Sequence, residues 1–341
     1  MAVASLIGLA ERLPTPDPLV RFGIRTLVER TRQRLAVQGA VAEADFARAM
    51  DRYPVATDTD AANAQHYEVP AAFFQRVLGA HAKYSCCWFD TPGATLDAAE
   101  EAALTRTVAN AGLADGMDIL ELGCGWGSLS LFMAATFPAA RIVSVSNSHS
   151  QRAAIEAKAK ARGLDNLTVI TADMNVFAPT QRFDRIVSVE MFEHMSNWAE
   201  LFRRCRSWLK PSGRLFLHVF THHEASYRFD QNDKADWIAQ YFFTGGIMPA
   251  QTLPGRFPDL FSVEQEWRWS GMHYALTARR WLANFDAQAS EIEAILRPVY
   301  GAETGLWMRR WRWFFLATEG LFGHADGTVW GVGHFLLRPA D

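Results

Sequence analysis

At 341 residues, 49% hydrophobic and 12% aromatic, the chain is long enough to bury a sizeable core as one large domain or one domain with appendages. A formal charge of −3 and a pI near 6.4 argue against nucleic-acid binding, because phosphate recognition relies on concentrated Lys and Arg. No run approaches the ~18 to 20 apolar residues of a membrane span, and the first ten residues meet Glu11-Arg12 too early for a secretory segment. Cys86, Cys87, Cys124 and Cys205 form no CxxC pair or metal-ligand spacing, so the expectation is a soluble cytoplasmic protein with reduced thiols and no metal.

Residues 1 to about 60 read as helices with breaks at Pro14, Pro16 and Pro18. One of them mixes Phe22, Ile24, Leu27 and Val28 with Arg21, Arg25, Arg30 and Arg32. Such an amphipathic basic helix either packs on the main body with a solvated basic face or meets a membrane surface or a partner helix. A helical pattern over 96–111 leads into an apolar strand at 118–122, and a second helix, 128 to about 136, stops at Pro138. Next come a strand at 141–146, a helix at 150–162 ended by Gly163, and strands at 167–172 and 183–189. A helix around 199–209 and a strand at 213–219 follow. Residues 220–280 read as an aromatic-rich, irregular insertion able to roof a pocket; 281–323 return to helical spacing and 329–337 form a last strand.

Strands and helices alternating at this spacing are βαβ units, hence a parallel sheet with helices on both faces. Ligands of such sheets bind beyond the carboxyl ends of the strands. That rule places Gly123 to Gly127, Ser146 to Ser148, Asp173 and Glu190 to His194 along one crevice. The turn Glu121-Leu122-Gly123-Cys124-Gly125-Trp126-Gly127 offers bare backbone to a ligand and opens a helix whose amides attract carboxylate or ribose oxygens. Its GxGxG spacing differs from the GxGxxG of dinucleotide sites, although a plain turn without ligand has the same appearance. Glu121 is placed to take an ammonium, and Asp173 an adenine amino group. The second strand ends in Ser146-Asn147-Ser148 without a carboxylate, which leaves Asn147 or Gln151 for ribose hydroxyls.

Six motifs together resemble the cyclopropane-fatty-acid synthase and mycolic acid cyclopropane synthase family of class I S-adenosylmethionine (SAM) dependent methyltransferases, and within it the coclaurine N-methyltransferase branch. They are His66-Tyr67-Glu68-Val69-Pro70 with Phe73-Phe74, Lys83-Tyr84-Ser85-Cys86-Cys87-Trp88-Phe89, the glycine turn, Val189-Glu190-Met191-Phe192-Glu193-His194-Met195, Tyr241-Phe242-Phe243-Thr244-Gly245-Gly246-Ile247-Met248-Pro249, and Gly271-Met272-His273-Tyr274. The resemblance implies a Rossmann-like α/β fold, a mostly parallel seven-stranded sheet with helices on both faces. Residues 1–65 are then a helical extension, 66–341 the methyltransferase domain and about 220–280 a lid. SAM is the implied cofactor, held by Tyr84, Ser85, Glu121, Gly123, Gly125, Gly127, Asn147, Gln151, Asp173 and Met174.

The family divides by methyl acceptor. Its cyclopropane synthases act on unsaturated acyl chains with bicarbonate held by a cysteine, a glutamate, a histidine and a tyrosine, which by motif fall on Cys86, Glu193, His218 and Tyr274. Glu190 resembles the amine branch, the synthases usually having glycine there. An amine suits a cluster of Glu190, Glu193 and His194, since a protonated amine must lose its proton before it attacks and carboxylates stabilise the positive charge that develops. Trp88, Phe242, Phe243 and Trp269 are candidates to hold a cationic acceptor or line an acyl tunnel. N-methylation of a small aromatic or cyclic amine is the leading expectation. Acyl-chain methylation and SAM binding without catalysis are the alternatives, with a homodimer and membrane contact through the basic helix also open.

Overall fold

The computed structural model describes residues 7–37, 40–57, 69–234 and 236–341; His66, Tyr67 and Glu68 and the boundary drawn at residue 65 lie outside them. With elements numbered in chain order, the N-terminal part holds helices α1 (Asp17–Leu35), α2 (Ala40–Ala49) and α3 (Ala71–Val77). The central part runs α4 (Leu96–Asn110), β1 (Asp118–Leu122), α5 (Ser128–Thr136), β2 (Arg141–Ser146), α6 (His149–Ala161), β3 (Leu167–Thr171), β4 (Phe183–Val189), α7 (Trp198–Trp208) and β5 (Leu209–His222). After it come the short pair β6 (Tyr227–Arg228) and β7 (Ile247–Met248) flanking α8 (Trp237–Tyr241). The chain then follows β8 (Phe261–Ser270), α9 (Gly271–Ala287), α10 (Ala289–Tyr300), α11 (Thr304–Phe322) and β9 (Trp330–Pro339).

Seven strands form one sheet in the order β3-β2-β1-β4-β5-β9-β8. The pairs among β1 to β5 are parallel, and β9 runs antiparallel to both β5 and β8. The central strands are near-continuous apolar runs because helices cover both faces, so Ile119, Leu120, Ile186, Val187 and Phe216 are all fully buried. Strand order reverses at β1, whose neighbours are β2 and β4, and that switch point opens the crevice where such sheets hold ligands.

Two expectations need correction. Residues 261–270, expected to be irregular, are the sheet strand β8 and 271–287 the helix α9; the strand sits at the edge, burying little beyond Phe261 and Trp269, so its outward Ser, Glu and Gln masked the strand pattern. Pro18, expected to break a helix, lies in the first turn of α1, where a missing amide costs nothing. α1 lies against α11 through Arg21–Glu319 (2.8 Å) and Arg312 Nη2–Asp17 Oδ2 (2.9 Å), with Val20 and Val28 buried beneath it. Its outer face leaves Leu19 and Phe22 exposed beside Arg25 and Arg30. The segment after α2 runs on to the strand ends, where Val55 accepts the Ser196 amide at 2.7 Å. No helix among the described residues is long and apolar enough to cross a membrane.

Candidate active site

β1 delivers the glycine turn to the switch point. Gly123, Gly125 and Gly127 have φ of +79°, +50° and +83°, a region that disfavours side chains. A Cβ on Gly123 would meet Met191 at 2.5 Å, and one on Gly127 would meet Ile155 of α6 at 2.6 Å. Around Gly125 nothing lies within 4 Å, so that glycine faces open space. The amides of Gly123 and Cys124 both donate to Val145 at the end of β2, which fixes the turn against its neighbour strand.

The cleft beyond the turn encloses about 1550 Å³, open solvent at its mouth included. Of the residues expected at a cofactor, Tyr84, Ser85, Glu121, Gly123, Gly125, Asn147, Gln151, Asp173 and Met174 line it, and Gly127 packs behind. Glu121 is buried with Oε2 accepting the Ser144 hydroxyl at 2.8 Å and that of Ser130; burial pushes its carboxyl up to about 7. Gln151 is oriented by the Ser146 hydroxyl on its Oε1 (2.7 Å), and Asp173 Oδ1 accepts the Asn175 amide (2.8 Å). Two buried polar atoms on the cleft wall, Trp126 Nε1 and Ser128 Oγ, have no hydrogen-bond partner among the described residues. Orphaned polar groups beside glycine-made open space fit a polar cofactor with a flat base and ribose.

The part of the site around Glu190 is assembled from five separate segments. Directly after β4 comes Glu190, a residue with φ of +48° whose carboxylate turns into a cup: Oε1 accepts the Cys86 amide (2.9 Å) and meets His218 Nε2 (3.2 Å), while Oε2 accepts the Tyr274 hydroxyl (2.7 Å). The set Cys86, His218 and Tyr274 is thus brought together, and it surrounds the Glu190 carboxylate. Burial raises the Glu190 carboxyl, opposed by Lys83, the Cys86 amide and the Tyr274 hydroxyl. Lys83 is itself buried, its Nζ 2.6 Å from both Ser85 Oγ and the Cys86 carbonyl, so it shapes the segment that lines the cleft.

A single 3-10 turn, Phe192–His194, follows. His194 lines the cleft and stacks on Phe243 of the 220–260 segment at 4.3 Å. Glu193 does not line the cleft: it is fully buried, Oε1 accepts the Phe220 amide at 2.7 Å, and Oε2 has no partner among the described residues. Burial and then the Glu190 charge push its carboxyl well up, which disfavours a second anion beside Glu190. Of the four aromatics expected to hold an acceptor, only Phe243 reaches the cleft; Phe242 is buried against Phe314, and Trp88 and Trp269 pack on each other behind His218. Phe220 and Phe314, and Ala56 and Thr57 from the N-terminal part, line it without having been expected. All four cysteines are buried and unbridged.

A seven-stranded sheet in this order, with a glycine turn at its switch point and this cleft, defines a class I SAM-dependent methyltransferase; the protein is an enzyme of that class and SAM is its cofactor. Within the class, the chain belongs to the mycolic acid cyclopropane synthetase family, whose model matches residues 56–330. It is 34% identical over 289 residues to (S)-coclaurine N-methyltransferase of Thalictrum flavum subsp. glaucum, covering 83% of this chain and 80% of that one. Identity to the cyclopropane-fatty-acyl-phospholipid synthase of Escherichia coli is 29% over 271 residues, covering 79% of this chain and 66% of that one. The solved coclaurine N-methyltransferase bound to N-methylheliamine and SAH superposes with a TM-score of 0.95 at 30% identity, covering 99% of this chain and 100% of that one. The cyclopropane synthase MmaA2 from Mycobacterium tuberculosis shares the fold, with a TM-score of 0.69 at 24% identity, covering 83% and 98%.

Proposed function

We propose that the protein N-methylates a small aromatic or cyclic amine, with Glu190 and His194 as the groups that meet the acceptor. The observation that carries this reading is the Glu190 carboxylate, fixed by the Cys86 amide and the Tyr274 hydroxyl and met by His218 Nε2, lining the same cleft as His194. Its support from relatives is the amine chemistry in the names of the N-methyltransferases above.

SAM, when bound, supplies an electrophilic methyl group on a sulfonium. The glycine turn and Tyr84-Ser85 would hold its methionine side, Asn147 and Gln151 its ribose, and Asp173 and Met174 its adenine. His194 takes the proton from the incoming ammonium, which frees the nitrogen lone pair. Glu190 stabilises positive charge on that nitrogen as the N–C bond forms. Glu193, buried against the Phe220 amide with its carboxyl pushed well up, is disfavoured as a second full charge in the wall. Phe243, Phe220 and Tyr274 exclude water and offer ring faces to a cation.

Incubation with labelled SAM and either an amine panel or unsaturated phospholipid vesicles tests the reading. Label is expected in an amine without added bicarbonate. Label confined to the lipid fraction, with a need for bicarbonate, would replace this function by acyl-chain methylation, the reading favoured by the gathering of Cys86, His218 and Tyr274.

A further inference from the structure

We infer that Asn110 and His334 are positioning residues for methyl transfer: a buried file of hydrogen bonds, Asn110–His334–His218–Glu190, fixes the tautomer of His218 and so holds the Glu190 carboxylate as an anion. The inference rests on the reading of Glu190 as the carboxylate that meets the acceptor.

The file starts in the sheet register. His218 on β5 and His334 on β9 are direct cross-strand partners, and their rings meet with His334 Nε2 2.8 Å from His218 Nδ1. His218 Nε2 lies 3.2 Å from Glu190 Oε1, and the Glu190 amide donates to the His218 carbonyl at 2.8 Å. At the other end, Asn110 Nδ2, on the last residue of α4, lies 2.9 Å from His334 Nδ1. Both imidazoles are fully buried, walled by Trp269 (centroids 4.2 Å and 5.2 Å away) and Phe216 (5.0 Å from His334). Asn110 is half-buried and closes the file toward the surface.

Burial lowers both histidines well below their ordinary range, so each ring carries one proton. Two singly protonated rings satisfy three successive hydrogen bonds only when all the protons point the same way. With the Asn110 amide donating, His334 Nδ1 accepts, its proton sits on Nε2 and points at His218 Nδ1, and the His218 proton sits on Nε2 and points at Glu190. That arrangement gives Glu190 Oε1 a donated proton and suits the ionised carboxylate, to which the Cys86 amide and the Tyr274 hydroxyl also donate. The opposite arrangement reverses every bond, presents the Asn110 carbonyl oxygen to His334 and requires a protonated Glu190. The orientation of one amide near the surface is therefore coupled, through two rings, to the charge in the cleft. The other titratable groups around Glu190 and His218 are Lys83 and Cys86 from the segment before α4, Glu193 from the 3-10 turn and Tyr274 from α9.

Asn110→Asp keeps the size and replaces a donor by an acceptor, so it favours the reversed file. In full-length protein labelled with 15N-histidine, His218 and His334 are expected as Nε2–H tautomers, and both should shift to Nδ1–H in Asn110→Asp. Wild-type His218 as the Nδ1–H tautomer, or tautomers unmoved in Asn110→Asp, overturns the inference. In kinetics at saturating SAM, the acid limb of the kcat/KM profile should move up by about one pH unit, a tenfold loss on the acid side. SAM affinity by calorimetry should stay within about twofold. His334→Phe should move the limb the same way, and an unmoved limb in both variants counts against the file. If no amine is methylated, the proposed function fails, and the tautomer spectra alone still decide the file.

Discussion

The two ends of the cleft are built on different principles. The part proposed to hold SAM is local: one turn of seven residues, Glu121 to Gly127, supplies bare backbone, and its geometry follows from three left-handed glycines between a strand and a helix. The acceptor end is collected from Lys83 to Cys86, Glu190 to His194, His218 to Phe220, Phe243 and Tyr274, and it is made of side chains whose charges depend on one another. A backbone site tolerates little variation and serves a constant cofactor. A side-chain cup can be retuned by one substitution, and in one family it serves different acceptors on the same sheet.

Damage at the two ends should therefore separate binding from turnover. The largest effect is expected from Gly125→Val, which puts a side chain at φ +50° into the open space of the cleft: SAM binding by calorimetry should vanish, and normal binding would remove the turn from the cofactor site. At the other end, Glu190→Gln or His194→Ala should cut kcat for the amine by about a hundredfold or more while SAM affinity holds, the scale of a lost acid–base or charge-stabilising group. Glu193→Gln should cost less, about tenfold in kcat, since the amide resembles the protonated acid. A Glu193 variant worse than the Glu190 one in steady-state rates would reverse their order.

A smaller effect concerns pH. Glu100, which accepts the amides of Gly79, His81 and Lys83, and Glu121 both have carboxyls pushed up to about 7 by burial, from 4.5. The folded state then holds protons that the unfolded chain has released, so this stabilisation is complete below pH 4.5 and is lost as pH rises through about 7. The buried His218 and His334, pushed down by burial, act in the opposite sense, so the carboxyl contribution is read as a difference: between pH 5 and pH 8 the SAM-free Glu121→Gln protein should lose less melting temperature, or gain more, than the wild type, by roughly a few degrees. Identical pH dependence of melting in Glu121→Gln and wild type would contradict the burial argument for Glu121.

How much of this was legible in the sequence follows the same division. The strand at 118–122, the helix at 128–136 and the strand at 183–189 stand where apolar runs and glycine punctuation put them. The remaining parts depend on pairings between distant residues. β5 is longer than its apolar run because Leu209 pairs with Phe183 across an irregularity in register, and β8 shows too few buried residues to read as a strand. The motif put Glu190, Glu193 and His194 together; the structure has Glu190 and His194 lining the cleft, whereas the burial of Glu193 off it depends on the distant Phe220 amide. His334 passed as one polar residue in an apolar strand; a histidine there was the available signal, and its partner lies 116 residues earlier.

One consequence concerns the order of assembly. β9, inserted between β5 and β8, is the last strand of the sheet to be synthesised, yet it carries His334 and pairs along both of its edges. Until it emerges, β5 and β8 present unsatisfied backbone to the surroundings, and such open edges invite pairing with other chains. A nascent molecule can thus own a complete glycine turn while its acceptor cup still lacks a wall.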